Sequence, residues 1–347
     1  MSPKGSLCIL CLTFNSKQKR YNIITFKTNK LRMNSVLKIT NTLLKIRLLV
    51  FFVILNNSNS VAQQDPQFTQ YMYNTVNINP AYAGSRGVMS VFGVYRAQWI
   101  GLEGAPITAV ASFHTPIYNS KIGMGVSMSS DEIGISERKT VATDFSYTIK
   151  TSDKFKLSFG IKGSVNILNL DYNKLNKFDL NDPKFQNNIN NKFSPNIGAG
   201  LYYHSNKLYA GFSVPNILET NYFDDTSMSI AKDALHYYFI SGYVIDVSQT
   251  LKLKPAILVK YVNGAPLQTD LTTNFMFYEK FVLGGAWRWD AAASALAGFQ
   301  IDANWFVGYT YDSDTTKLTN YNAGSHEFFL RYEFKGKKEK IISPRFF

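Results

Sequence analysis

The chain has 347 residues, with 37 Lys/Arg against 24 Asp/Glu for a formal charge of +13, and only two cysteines. That charge would suit an anionic partner such as nucleic acid, but ten of the basic residues and none of the acids lie in residues 1–62, leaving 27 against 24 beyond them. The excess belongs to a leader, and the remainder is too nearly neutral to support nucleic-acid binding.

Within the leader, Met33 opens a better start than Met1. Lys38, Lys45 and Arg47 form a positive region, Leu48 to Leu55 an apolar run, and Ser60-Val61-Ala62 a small-residue cleavage site. Residues 33–62 therefore read as a secretory signal peptide, with an apolar run too short to span a bilayer as a helix. Residues 1–32 are then an upstream or untranslated extension, and the mature chain begins near Gln63. Cys8 and Cys11 both fall in the extension, where no second pair or histidine cluster gives their spacing a metal or redox meaning. The mature chain is free of cysteine, which suits an exported protein without disulfides.

Residues 63–86 lack clean periodicity but carry Phe68, Tyr71, Tyr73 and Tyr82 with Pro66 and Pro80. Burying each aromatic is worth roughly 1.5–3 kcal/mol, so this stretch is expected to pack on or inside the body of the protein as a plug; a plain lead-in to the first strand is the alternative.

From residue 87 onward the signal is period-2 alternation. Phe155, Leu157, Phe159, Ile161, Val165 and Ile167 share one face, and Lys156, Ser158, Lys162, Ser164 and Asn166 the other. Fourteen strands are predicted, near 87–100, 106–117, 121–130, 137–150, 153–169, 194–204, 207–215, 235–247, 250–262, 267–278, 280–290, 292–301, 304–312 and 325–334. Most are long enough for a tilted membrane strand and longer than strands of globular proteins. Connections after even-numbered strands are tight, as at 118–120 and 151–152. Several after odd-numbered strands are long and polar, at 131–136, 170–193, 216–234 and 313–324. An even-stranded barrel with both ends in the periplasm has that pattern and a soluble sandwich has no reason to, so the fold expected is an all-β, transmembrane antiparallel β-barrel of about 14 strands in the bacterial outer membrane. It would occupy 87–334, with 335–347 as a periplasmic tail.

Trp99, Trp287, Trp289, Tyr202, Tyr203, Tyr237, Tyr238, Tyr309 and Tyr311 fall near predicted strand ends, as interfacial girdles would. Inward-facing Lys156, Lys162, Lys252, Lys254, Lys260, Arg288 and Arg331 are expected to pair with Asp144, Asp270, Asp290, Glu327 and Glu333, in preference to selecting an anionic solute. The last strand places Phe328, Leu330, Tyr332 and Phe334 outward and ends in an aromatic, which resembles the signal for barrel insertion.

Three motifs recur in order near the start: Asn79-Pro80-Ala81-Tyr82-Ala83-Gly84; Arg96 with Gln98, Trp99, Gly101, Gly104 and Pro106; and His114 with Pro116. Together they resemble the PorP/SprF family, outer-membrane proteins of the type IX secretion system and the linked gliding machinery of Bacteroidetes. The resemblance implies a non-enzymatic role supporting export or surface attachment of cargo proteins with a matching C-terminal domain. It also implies partners among periplasmic ring and peptidoglycan-linked components, and a docking role for the tail carrying Pro344, Arg345, Phe346 and Phe347, for which a frayed end is the alternative. An outer-membrane channel or hydrophobic-solute transporter gated by the N-terminal stretch is the rival function.

Nothing local argues for catalysis or a cofactor. His236 or His326 beside Asp233, Asp224 or Asp312 could be drawn as a base and its orienter, but no signature accompanies them. The loop acids Asp224, Asp225, Asp312 and Asp314 are too sparse for a calcium loop. Gly123 and Gly125, like Gly198 and Gly200, fall within strands, where small residues let a wall approach a plug or bend, and form no phosphate cradle.

Overall fold

A computed structural model describes residues 66–117, 121–174, 188–218 and 235–334. In them, fourteen antiparallel strands close into a barrel. They are β1 Met89–Ala97, β2 Ile107–Ile117, β3 Ile122–Ile133, β4 Ser136–Lys150, β5 Lys156–Leu170, β6 Ile189–His204, β7 Leu208–Val214, β8 His236–Tyr243, β9 Leu251–Val262, β10 Gln268–Phe277, β11 Phe281–Arg288, β12 Ala292–Gln300, β13 Trp305–Asp314 and β14 Ser325–Phe334. After Val244, β8 resumes for two residues, Ile245–Asp246, which pair with Leu253 and Lys252 of β9.

Each strand pairs with its sequence neighbours, and β1 with β14 makes the closure, from Met89 opposite Phe334 to Ala97 opposite His326. Closure pairs the first strand with the last, the condition for carrying backbone polar groups through hydrocarbon on strands; among the described residues β6 pairs with β7 only from Ala199 to His204. No helix of the described residues is long and apolar enough to cross a membrane.

Alternation sorts the side chains into a lipid face and a luminal face. On β5, Phe159 and Ile161 are 46% and 63% exposed, whereas Ser158, Lys162 and Ser164 between and beside them are buried. Polar groups on the buried side and apolar ones on the exposed side invert the pattern of a water-soluble fold, and identify the outer surface as the one facing acyl chains. The three longest strands, β4, β5 and β6, have 15, 15 and 16 residues, so at about 3.3 Å per residue they outrun a bilayer. Where they do so, the outward positions turn polar, as at Lys139 and Glu137, which pair at 2.7 Å on the surface.

An even strand count puts Met89 and Phe334 at one rim, here the terminal rim. At the opposite rim the polar stretch 131–136, expected to be a long loop, continues the β3–β4 ladder through Asp131 opposite Arg138 and Glu132 opposite Glu137. Only Gly134 and Ile135 turn the chain, with Gly134 at φ 56°. Strand β6 likewise begins at Ile189, ahead of its expected start. In both places the ladder persists past the lipid, where outward residues need not be apolar. The long connections of this rim are 171–188, 215–235 and 315–324.

Trp287 and Trp289 are exposed at one end of β11, and Trp305 meets Tyr332 at 4.5 Å with the rings tilted, near the terminal rim. Tyr202 and Tyr238 depart from the girdle, being 2% and 5% exposed and luminal. In each adjacent pair, 202–203 and 237–238, a pleated strand can send only one ring outward. Trp99 lies in the loop after β1 rather than on a strand.

Candidate functional site: the luminal segment and the opposite-rim cap

Residues 66–86 touch the inward face of strands all around the ring and so lie within the lumen. The segment holds one helical turn, α1 Thr75–Ile78, followed by a 3-10 turn, Pro80–Tyr82. Asn79 starts that turn: its side-chain oxygen accepts from the Ala81 N–H at 3.0 Å, and proline at the first position lacks an N–H that would go unused. Its amide also donates to the Leu201 carbonyl at 2.9 Å, fastening the turn to β6. Ala83 accepts at its carbonyl from the Ser146 hydroxyl at 2.8 Å, and the Gly84 N–H donates to Nδ1 of His114 at 3.3 Å.

The wall is thinned to admit this turn. A Cβ on Gly160 would meet the Ala81 nitrogen at 2.1 Å, and one on Gly123 would meet the Ala83 carbonyl oxygen at the same distance. Close backbone approach therefore explains glycine at both strand positions. Gly198 on β6 meets instead the Pro215 carbonyl, just after β7.

The other side of the segment is held by buried charge. Arg96 bridges Asp312 at 2.7 Å and Glu327 at 3.0 Å, and all three side chains are almost fully buried. The Glu327 carboxylate also accepts from the Thr69 and Gln70 backbone N–H groups, each at 3.1 Å, while the Thr69 hydroxyl donates to Asp312 at 2.8 Å. Toward the terminal rim Arg86 pairs with Glu333 and donates to the Tyr82 hydroxyl at 3.3 Å. Gln67 reaches Asp270, which Arg288 holds at 3.0 Å, and Lys162 lies 3.0 Å from Asp144 and donates to the Val76 carbonyl at 3.4 Å. Removing one member of such a buried pair costs about 3–5 kcal/mol, because its partner is left charged and dry.

Between the charged groups the contact is aromatic. Tyr73 stacks on Phe329 at 4.8 Å and meets Phe306 at 5.4 Å, and the Arg331 guanidinium lies 4.7 Å over the Phe306 ring. Tyr82 meets His114 and Tyr202 edge-on. Burial pushes the Tyr71 and Tyr73 phenols well above their ordinary range, so both stay neutral.

The second motif builds a cap on the opposite rim. Arg96 points into the lumen, and from Gln98 the loop crosses the rim to Pro106, whose carbonyl accepts from the Gln98 N–H at 2.9 Å. Trp99 at φ 48°, Gly101 at 98° and Gly104 at 71° take left-handed conformations within it. Neighbouring connections staple the loop: Gly134 donates to Gly104, Ile100 exchanges bonds with Gly324 and Ala323, and the Trp99 N–H reaches the Ser325 hydroxyl. Pro116 lies near the terminal rim, beside Gly84. Thus His114 bonds the luminal segment directly and Arg96 reaches it through Asp312 and Glu327, while Gln98 to Gly104 belong to the cap.

Phe328, Leu330 and Phe334 are exposed on the lipid face of β14, with Tyr332 half-buried beside them. Pro344, Arg345, Phe346 and Phe347 lie outside the described residues, as do the signal peptide, Asp224 and Asp233. His236 on β8 and His326 on β14 are not brought together. His326 is 2.7 Å from the Tyr309 hydroxyl, and Asp312 is engaged by Arg96 and Thr69. Asp290, expected to face inward, is exposed in the β11–β12 turn, and Lys156 is exposed at the terminal rim. The described residues hold no group of three or more His, Cys, Asp or Glu suited to a metal.

Sequence reasoning missed Thr69, Gln70 and Arg86 as the segment's anchors, together with Gly160. Inward-facing acids on β13 and β14, together with Arg86 and Arg96 on either side of the start of β1, were the available signal. A cleft remains between the segment and the wall toward the opposite rim, lined by Pro66, Phe68, Ile78, Asp131, Arg138 and Tyr238 among others. Ser164, 6% exposed, also lines it.

Among solved structures, the chain is similar to the CymD monoaromatic hydrocarbon channel at 11% identity and TM-score 0.46, covering 82% of this chain and 96% of that one. A FadL homologue of Pseudomonas aeruginosa matches at 11% and 0.42, over 80% and 96% of the two chains. Omp33 of Acinetobacter baumannii matches at 11% and 0.42, over 71% and 98%. These likenesses are too distant to bear on what the protein carries or binds. No curated protein sequence matches the chain. The model of the type IX secretion system membrane protein family PorP/SprF matches residues 60–332, and the chain, an outer-membrane barrel, belongs to that family.

Proposed function

We propose that the protein is a non-enzymatic outer-membrane component of the type IX secretion and gliding apparatus, supporting export or surface attachment of particular cargo proteins. Membership of a secretion-system membrane family implies association with components of that apparatus. The observation that supports a scaffolding role over solute passage is the luminal segment itself, tied to β14 by the buried Arg86–Glu333 pair, to β13 and β14 by hydrogen bonds to the Asp312 and Glu327 carboxylates, to β3 and β5 by close backbone contact, and to β4 and β6 by the Ser146 and Asn79 side chains. A lumen so filled favours recognition at the two mouths.

In this reading residues 33–62 are removed on export, residues 63–86 form the plug, and the terminal rim with the tail 335–347 faces the periplasm. There it meets the ring and peptidoglycan-linked components, with Pro344 to Phe347 docking. The opposite rim is at the cell surface, where the connections 171–188 and 215–235 hold cargo beside the cap built on Trp99 and Gly104. Deleting the protein from its host and comparing surface proteins tests this. Loss of particular exported proteins carrying a shared C-terminal domain, with unchanged solute uptake, is expected; normal export with impaired uptake of an aromatic or other hydrophobic solute would establish the transporter reading instead.

A further inference from the structure

The cleft between the luminal segment and the wall has two unlike sides. On the segment side Pro66, Phe68 and Ile78 make most of the lining, with Asn77 beside them. On the wall side the strand register brings hydroxyls and a carboxamide into rows. Ser129 of β3 stands opposite Thr140 of β4, and Thr140 opposite Asn166 of β5. One row nearer the terminal rim, Ser127 faces Ala142 and Ala142 faces Ser164. Residues opposite each other across a strand pair lie about 5 Å apart, a spacing that alternate hydroxyls of a sugar ring match.

Two observations point to a ligand that hydrogen-bonds. Ser164 is 6% exposed and lines the cleft, yet its hydroxyl has no hydrogen-bond partner among the described residues, which costs stability unless a bound group completes it. The Thr108 and Thr140 hydroxyls donate to the Asp131 carboxylate and the Asn166 carboxamide oxygen at 2.6 Å and 2.7 Å, so their own oxygens remain as acceptors.

The same lining argues against other ligands. Charge is balanced, with Lys162 at 3.0 Å from Asp144 and Arg138 opposite Asp131 in the ladder, so nothing favours an ion of either sign. An apolar solute would seal Ser164 from water without satisfying it. An extended peptide would seek backbone partners, and those of β3, β4 and β5 are spent on their own ladders here. Counting its open mouth, the cleft holds about 780 Å³ of free space, in the range of small-molecule sites.

We propose that the cleft binds the end unit of a neutral glycan, the C–H face of the sugar lying against Phe68 and Ile78 and its hydroxyls meeting Ser129, Thr140, Ser164 and Asn166. Under the sidedness assigned above the mouth opens at the cell surface, where such a unit ends a polysaccharide or is carried on a protein. The binding itself rests neither on that sidedness nor on the export role, so its failure leaves both standing.

The test applies fluorescent phosphatidylcholine nanodiscs carrying the protein to an array of neutral, acidic and peptide-linked glycans, with empty discs as the control. Binding to neutral glycans is expected, insensitive to salt and displaced by the same sugar in solution. Ser164→Ala should weaken it about threefold to tenfold, the worth of one neutral hydrogen bond. It should do so without lowering the melting temperature, because it removes a buried hydroxyl that lacks a partner. Ala142→Phe, which fills the cleft, should abolish binding. Tighter binding of a peptide-linked glycan than of its free form assigns the ligand to a glycoprotein, and the reverse assigns it to a polysaccharide. Binding to no neutral glycan, binding confined to acidic glycans and lost at high salt, or affinity untouched by both substitutions overturns the proposal. So does a rise in melting temperature with toluene but with no sugar, which assigns the cleft to apolar solutes.

Discussion

The Arg86 guanidinium is paired with the Glu333 carboxylate inside the barrel, joining the end of the luminal segment to the last inward-facing position of the closing strand. The chain leaves the lumen at this point and becomes β1, whose partner across the closure is β14. The pair therefore sits where segment and closing seam meet.

Arg86→Ala, which leaves Glu333 only the longer contact to Arg331 at 3.5 Å, and Glu333→Ala, which leaves the Arg86 and Arg331 cations buried near one another, should each destabilise the barrel by about 3 kcal/mol. The charge-exchanged double variant Arg86→Glu/Glu333→Arg should recover part of the loss. The temperature at which the folded band disappears in semi-native electrophoresis reads this directly. Equal melting of wild type and Arg86→Ala would remove the pair from the account.

Glu327 and Glu137 are both ion-paired glutamates, but in opposite surroundings. Glu327 is fully buried and receives Arg96 and two backbone N–H groups, whereas Glu137 is half-buried at the surface and Lys139 exposed. Glu327→Gln should cost about 3 kcal/mol and Glu137→Gln below about 1 kcal/mol. Denaturant unfolding of both variants checks the contrast, and similar losses would contradict the burial argument.

Much of this was legible in the sequence because a barrel wall has a fixed period. Phe159 and Ile161 against Lys162 and Ser164 fix the sides of β5 whatever the strand packs on. The ends were less legible: Asp131 to Ser136 reads as a polar loop, yet a strand that has left the lipid can stay paired with charged side chains outward. Aromatic pairs also misled, because Tyr202 and Tyr238 have the composition of a girdle but the parity of the lumen. The luminal segment was the hardest part. Phe68, Tyr71 and Tyr73 point to burial, but its anchors at Asp312, Glu327 and Glu333 lie more than two hundred residues away, and no local period encodes that distance.

Residues 63–347 hold no cysteine, which makes the sidedness testable. Pro66 lines the cleft toward the opposite rim, and Ser152 lies in an exposed terminal-rim turn. A membrane-impermeant maleimide on intact cells should label Pro66→Cys and spare Ser152→Cys until the outer membrane is opened. The reverse pattern would invert the barrel and exchange the roles given to its two rims.

The most direct test of the central claim, a lipid-embedded barrel whose lumen is filled by its own N-terminal segment, is conductance in planar bilayers. Wild type should insert without a steady open state, whereas Gly160→Leu, whose side chain takes the space of the Ala81 backbone, should displace the segment and conduct. A stable, fully open channel in wild type, unchanged by Gly160→Leu, would contradict it.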